Sequence, residues 1–295
     1  WEHLTDLLTD KAVGFVTKNK DNPFFLFLSY NAPHGWLYHE THPEYSATDE
    51  WVETVKKKYN LPDETPMQRN LIDYIAVTEH MDARIGDLLA VLEKENLDQD
   101  TLVVFMSDNG AITPEFYYTL AASGNNGGLR AGKAVPYEGG VRVPMMMRCP
   151  AEIAANKTIS GFTMGVDILP TILDFAGIPA PETNGDHPLR GISLMPYLQQ
   201  PQKPLPQREA FFINNNKSGV GIIKDPWKLV TLKRRVGGNK DLTKSEGPSD
   251  GWILFNLDDD IGERKDLSKQ YPEKTEELLS FWKDYNRSIG RTVME

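Results

Sequence analysis

The segment 101–110, TLVVFMSDNG, constrains this chain more than any other stretch. The apolar run Leu102-Val103-Val104-Phe105-Met106 reads as a buried strand, because a run that is apolar on both faces must be covered on both. It stops abruptly at Ser107-Asp108-Asn109-Gly110. A strand ending this way delivers polar groups to its carboxyl end, which is where open α/β sheets collect ligands. Gly110 permits the sharp turn that follows. Asp108 and Asn109 supply a carboxylate and a neutral amide oxygen, hard donors suited to calcium or magnesium, and the competing reading is a plain turn.

Upstream, apolar residues at helical spacing over 4–16 predict an amphipathic helix that Asn22-Pro23 stops. The run Phe24-Phe25-Leu26-Phe27-Leu28 predicts a central strand covered on both sides, ending a few residues before His34. Residues 35–63 read as a surface excursion with one short helix near Trp51. Thr65, Pro66 and Gln68 form the start of a long helix, with Thr65 as N-cap and Gln68 completing a capping box. Its expected buried stripe is Met67, Leu71, Tyr74, Ile75, Met81, Ile85, Leu88, Leu89 and Leu92. Strand, helix, strand predicts a parallel crossover, so that His34 and the Asp108-Asn109 pair end on one sheet edge.

Downstream, the polar loop 112–128 leads to Gly132-Lys133 and then to Tyr137-Glu138-Gly139-Gly140-Val141-Arg142-Val143-Pro144. Met145-Met146-Met147 predicts a short strand, and 167–176 a helix closed by Gly177. From about residue 201, apolar runs at 210–213, 220–223, 227–232 and 252–257 predict a small antiparallel sheet. A last amphipathic helix covers 272–289, with Leu278, Leu279, Trp282 and Tyr285 inward. The organisation is therefore an α/β portion over 1–200 and a subdomain over 201–295.

The 32 Lys+Arg against 42 Asp+Glu give a net charge of −10, which repels phosphate backbones and argues against nucleic acid. Lys233-Arg234-Arg235 is the one local basic run, and three positive charges read as a solvated turn rather than a basic patch. No apolar run approaches the roughly 20 residues needed to cross a bilayer, and no stretch of these 295 residues reads as a signal sequence. A single cysteine, Cys149, excludes an internal disulfide framework. The start at Trp1, without Met and inside a predicted helix, suggests a processed or truncated product.

A lysine in tight backbone beside a metal is a point charge suited to an anionic oxygen, and Lys133 is either that or an ordinary surface lysine. His34 can protonate a leaving group near neutral pH, or be satisfied by nearby backbone. Zinc at His34, His39 and His42 is disfavoured by spacing that matches no helix face and by the lack of thiolates. Ser-His-Asp catalysis has no Gly-x-Ser-x-Gly behind it. Glu138 and Arg142 read as structural, fixing the loop that carries Lys133.

Taken together, Leu4-Thr5-Asp6, residues 23–34 (PFFLFLSYNAPH), 101–110, Gly132-Lys133, YEGGVRVP at 137–144 and DILPTILDFAG at 167–177 resemble the C-terminal half of a type I sulfatase. Gly191-Ile192-Ser193-Leu194, Leu254-Phe255-Asn256-Leu257 and Gly262-Glu263 are similar to the family's later signatures. The resemblance implies an alkaline-phosphatase-like α/β sandwich with a mostly parallel central sheet, plus a smaller C-terminal antiparallel sheet and helix. It implies cleavage of a sulfate ester, on family grounds that of a sulfated carbohydrate, by a formylglycine nucleophile beside one calcium ion. Asp108 and Asn109 would be two of the calcium ligands, Lys133 the lysine on sulfate and leaving-group oxygens, and His34 the leaving-group histidine.

Cys149-Pro150-Ala151-Glu152-Ile153 lacks the arginine of the nucleophile pentapeptide Cys/Ser-x-Pro/Ala-x-Arg. The nucleophile and the remaining calcium ligands are therefore expected upstream of Trp1, in an N-terminal fragment of the same protein, and this chain alone is expected to be inactive. Gly35-Trp36 follows His34 where many relatives carry a small residue and proline, which bears on the leaving-group pocket. Trp36, Tyr38, Tyr117 and Tyr118 are candidates to stack on a sugar or aryl group. A phosphonate or phosphate monoester hydrolase and a non-catalytic glycan-binding module are the alternatives; Asn109, standing where two-zinc relatives carry histidine, favours the single-calcium class. The family also implies a periplasmic, secreted or lysosome-like location.

Overall fold

The computed structural model describes residues 3–34, 47–113, 123–184, 187–214, 219–231 and 251–288. Helices α1 (Leu4–Asn19), α2 (Asp49–Tyr59) and α3 (Pro66–Lys94) precede strand β1 (Val103–Met106), the single turn α4 (Glu138–Val141) and strand β2 (Met145–Arg148). Helix α5 (Ile168–Phe175), the two-residue strands β3 (Thr183–Asn184) and β4 (His187–Pro188), and α6 (Met195–Gln199) follow. Strands β5 (Glu209–Asn214), β6 (Gly219–Lys224), β7 (Trp227–Thr231) and β8 (Trp252–Asn256) then lead to α7 (Pro272–Ser288). No helix among the described residues is long and apolar enough to cross a membrane.

The start of α3 follows the sequence signals. Thr65 accepts from the Gln68 amide, Gln68 accepts in return from the Thr65 amide, and Pro66 opens the helix. The helix is rotated from the expected stripe, however. Ile72, Ala76, Val77 and His80 are buried along with Leu92, whereas Met67 and Leu71 are exposed. The partners set this rotation: α2 covers Ile72 and Ala76 with Val55 and Trp51, and α1 presents Asp6 to His80. Helix α5 is closed as expected by Gly177, at φ 65.

The two halves of the sheet prediction fared differently. Strands β5, β6, β7 and β8 form the expected antiparallel meander, with Val220 opposite Thr231 and Leu229 opposite Leu254. Side chains alternate between its faces. Ile222, Leu229 and Leu254 pack on Leu278 of α7, while Ile223, Val230, Ile253 and Phe255 pack on Val135 and Tyr137. Burial on both faces explains why the strands read as continuous apolar runs.

The expected parallel pairing of 24–28 with β1 is not formed. β1 pairs antiparallel with β2 instead, Val103 opposite Arg148. Residues 24–28 belong to no helix or strand, and no backbone hydrogen bond ties them to another strand among the described residues. Nor is the run covered on both sides. Phe25 is 67% and Phe27 81% exposed, while Phe24, Leu26 and Leu28 are half-buried.

Candidate active site

β1 brings the chain to Ser107, whose amide donates to Pro144 O and whose hydroxyl donates to Asn109 O. Asp108 is exposed and Asn109 half-buried. Among the described residues neither side chain has a hydrogen-bond or ion-pair partner. An unpartnered carboxylate beside an unpartnered amide oxygen is a donor set that suits a hard divalent cation.

Three backbone segments interlock immediately behind this pair. The Gly110 amide donates to Gly140 O at 3.1 Å, the Lys133 amide to Ala111 O at 3.1 Å, and the Gly139 amide to Arg130 O at 2.9 Å. The approach is too close for side chains. A Cβ on Gly110 would lie 1.8 Å from Gly139 O, one on Gly132 2.2 Å from Ala111 O, and one on Gly139 2.2 Å from Ala131 O. Lys133, half-buried, sits between Ala131 at φ 59 and Ala134 at φ 77, a left-handed conformation that alanine rarely adopts. The structure thus ties the Lys133 segment to the Asp108-Asn109 loop.

His34 is placed differently. It is exposed, follows the cis Ala32-Pro33 bond, and donates its amide to Asn31 O. Among the described residues it makes no hydrogen bond or ion pair to Asp108, Asn109 or Lys133. Trp36, Tyr38, His39, His42, Tyr117, Tyr118 and the Lys233-Arg234-Arg235 run lie outside the described residues.

Glu138 and Arg142 have the structural part foreseen for them, with Arg142 Nε donating to Glu138 Oε2 at 2.6 Å. Other residues of this region escaped the sequence reading. Asn126 accepts from the Ala111 amide and donates to Ala111 O and Ala131 O, stapling two of the three segments. Lys228 of β7, fully buried, lies 2.7 Å from Glu138 Oε1 and 2.9 Å from Glu263 Oε1. The second contact is an ion pair without the direction of a hydrogen bond.

Glu263 Oε2 accepts from the Glu138 amide at 2.6 Å, and Arg130 donates to Glu263 O while stacking over Tyr137. Burial pushes the Glu138 carboxyl up, but Lys228 and Arg142 outweigh it and hold the group below the usual carboxylate range. Glu263 is raised, because burial there exceeds what Lys228 returns.

A second group of potential ligands, His3, Asp6 and His80, joins α1 to α3. The same Asp6 oxygen lies 2.9 Å from His80 Nε2 and 3.2 Å from Arg84 Nε. A guanidinium so close opposes a second cation, so this cluster is an interhelical ion-pair network.

The family model for sulfatases matches residues 1–178, and one described as N-sulphoglucosamine sulphohydrolase, C-terminal, matches 131–280. The steryl-sulfatase of Mus musculus is 33% identical over 299 aligned residues, covering 94% of this chain and 43% of its own length. An N-acetylgalactosamine-6-O-sulfatase of Bacteroides thetaiotaomicron is 26% identical, covering 94% and 50%. Among solved structures, Ps i-CgsB superposes with a TM-score of 0.75 at 30% identity, covering 96% of this chain and 55% of that one. The chain spans half or less of the length of these curated relatives.

Proposed function

This chain belongs to the sulfatase family, an alkaline-phosphatase-like fold, and we propose that it supplies the cation-binding and leaving-group side of a sulfuric ester hydrolase. Asp108 and Asn109 hold a calcium ion, Lys133 binds sulfate oxygens, and His34 serves the leaving group. The bound cation would draw charge from the sulfate oxygens as the S–O bond breaks. The Lys133 ammonium stabilises negative charge on the same group, and protonated His34 gives its proton to the departing oxygen, which keeps the bonding electron pair. The formylglycine nucleophile lies elsewhere in the polypeptide, since Cys149 has no arginine at the required spacing. We assign residues 1–200 to the catalytic α/β portion and 201–295 to a C-terminal subdomain.

The observation that carries this reading is the pairing of two oxygen-donor side chains, unpartnered among the described residues, with a loop locked to the Lys133 backbone. Sulfated carbohydrate is the proposed substrate class, because the 30%-identical Ps i-CgsB has been solved with a k-i-k-neocarrahexaose. A periplasmic, secreted or lysosome-like location goes with that proposal on family resemblance alone.

The test is calcium titration and sulfate release with the full-length protein, comparing wild type with Asp108→Ala, Lys133→Ala and His34→Ala. Asp108→Ala should weaken calcium binding at least about tenfold, and each of the other two should lower turnover by about two orders of magnitude with folding retained. Unchanged calcium affinity removes Asp108, and wild-type turnover removes Lys133 or His34. Glycan binding without hydrolysis would replace catalysis by recognition, and turnover of a sterol sulfate alone would overturn the carbohydrate assignment.

A further inference from the structure

We propose that Lys228, with Glu138 and Glu263, is a positioning cluster through which the C-terminal sheet sets the placement of Lys133 relative to the Asp108-Asn109 pair. The inference rests on the functional reading above for what is positioned, and on geometry alone for the positioning.

Lys228 lies on the face of the sheet that carries Val230, and so points toward the interlocked segments rather than toward α7. A lysine there is costly. Its ammonium is removed from water, and among the described residues two carboxylates, themselves buried, compensate it. An apolar residue would serve the core of a sheet as well or better, so stability alone gives no reason for this choice.

The mechanical links are short and have little slack. Lys228 holds the Glu138 carboxylate, and Glu263 holds the Glu138 amide. The next two residues, Gly139 and Gly140, are those against which Gly110 closes without room for a methyl group. Gly110 follows directly on Asp108-Asn109. The same cluster fixes the other arm: Arg130 donates to Glu263 O, and Arg130 O accepts from Gly139. Lys133 lies between that anchor and Val135-Pro136-Tyr137, whose Val135 and Tyr137 are embedded in the core of the sheet and whose Pro136 abuts Gly221. A shift of Glu138 therefore moves both arms, but not together.

The test follows backbone amide exchange, calcium binding and turnover in the full-length protein for wild type, Lys228→Met and Lys228→Arg. A Lys228→Met/Glu263→Gln double variant keeps the buried charges matched should the single variant fail to fold. Loss of the ammonium tether should accelerate exchange about tenfold in peptides covering 107–111 and 130–135, while 219–224 and 272–288 keep wild-type protection. Calcium affinity should fall and kcat drop more than KM changes, with Lys228→Arg restoring part of each. Acceleration spread evenly over the chain would mean a merely structural lysine, and unaltered exchange at 107–111 and 130–135 would overturn the proposal. Should wild type neither bind calcium nor release sulfate, the functional reading fails, and the exchange result still decides whether Lys228 positions the two segments.

Discussion

Gly110 shows how little freedom the candidate site has at the level of single atoms. Its missing side chain leaves room for a backbone carbonyl, so Gly110→Ala must push Gly139 and Gly140 away. Backbone yields less readily than a flexible side chain, and the expected loss is about 3 kcal/mol. A shift in the urea midpoint, with parallel weakening of calcium binding, would measure it; a variant as stable as wild type would mean that the segments are not locked. The glycine and Lys133 were both visible in the sequence, since Ser-Asp-Asn-Gly after an apolar run and Gly-Lys before YEGG are local patterns. Asn126, Glu263 and Lys228 were not. Glu263 and Lys228 meet Glu138 from 125 and 90 residues away, and Asn126 reaches Ala111 and Ala131 across a loop with no period of its own, so no local pattern encodes these contacts. Left-handed Ala131 and Ala134 gave no signal at all, because alanine carries no local mark of a conformation that it rarely adopts.

Helix α3 shows the same division at the scale of an element. Its beginning was legible because a capping box is written within four consecutive positions. Its buried face was not, because that depends on which neighbours arrive, and the stripe that α1 and α2 select includes the polar Asn70 and His80. Asp73 lies between Asn70 and Val77 on this stripe, and burial pushes its carboxyl up to about 6. A raised acid binds its proton more tightly folded than unfolded, so native stability falls as pH rises from 3.8 to about 6 and stays lower above that. Asp73→Asn should therefore stabilise the protein at neutral pH. The full shift would correspond to about 3 kcal/mol, and partial exposure reduces the expected gain to about 1 kcal/mol. Denaturation at pH 7 and again near pH 4 checks the sign: the advantage should be present at the first and gone at the second. A gain that persists in acid would mean that side-chain packing, not desolvated charge, is responsible.

Across the whole molecule, the C-terminal sheet and α7 came out as read because each strand pairs with its neighbour in sequence order. The run at 24–28 did not, and the reason is physical. Its composition specifies a strand buried on both faces and paired at both edges, whereas the described structure gives it neither. The β1–β2 pair has the same deficit, with Met106 and Met146 exposed on a ladder of two strands, fewer than a sheet normally needs for independent stability.

Solved relatives extend well beyond the region this chain matches, and the proposed function predicts that a further segment of sulfatase polypeptide contributes apolar strands to these faces. Burying Phe25 and Phe27 would each stabilise such an assembly by about 2 kcal/mol. The 295-residue chain alone should bind a hydrophobic dye and self-associate, and a co-expressed N-terminal sulfatase segment should suppress both while conferring sulfate release. Phe27→Lys should impair that association and leave the meander of β5 to β8 folded. Sulfate release by the chain alone, or association indifferent to Phe27→Lys, would show that the bare run at 24–28 is not where such a segment docks.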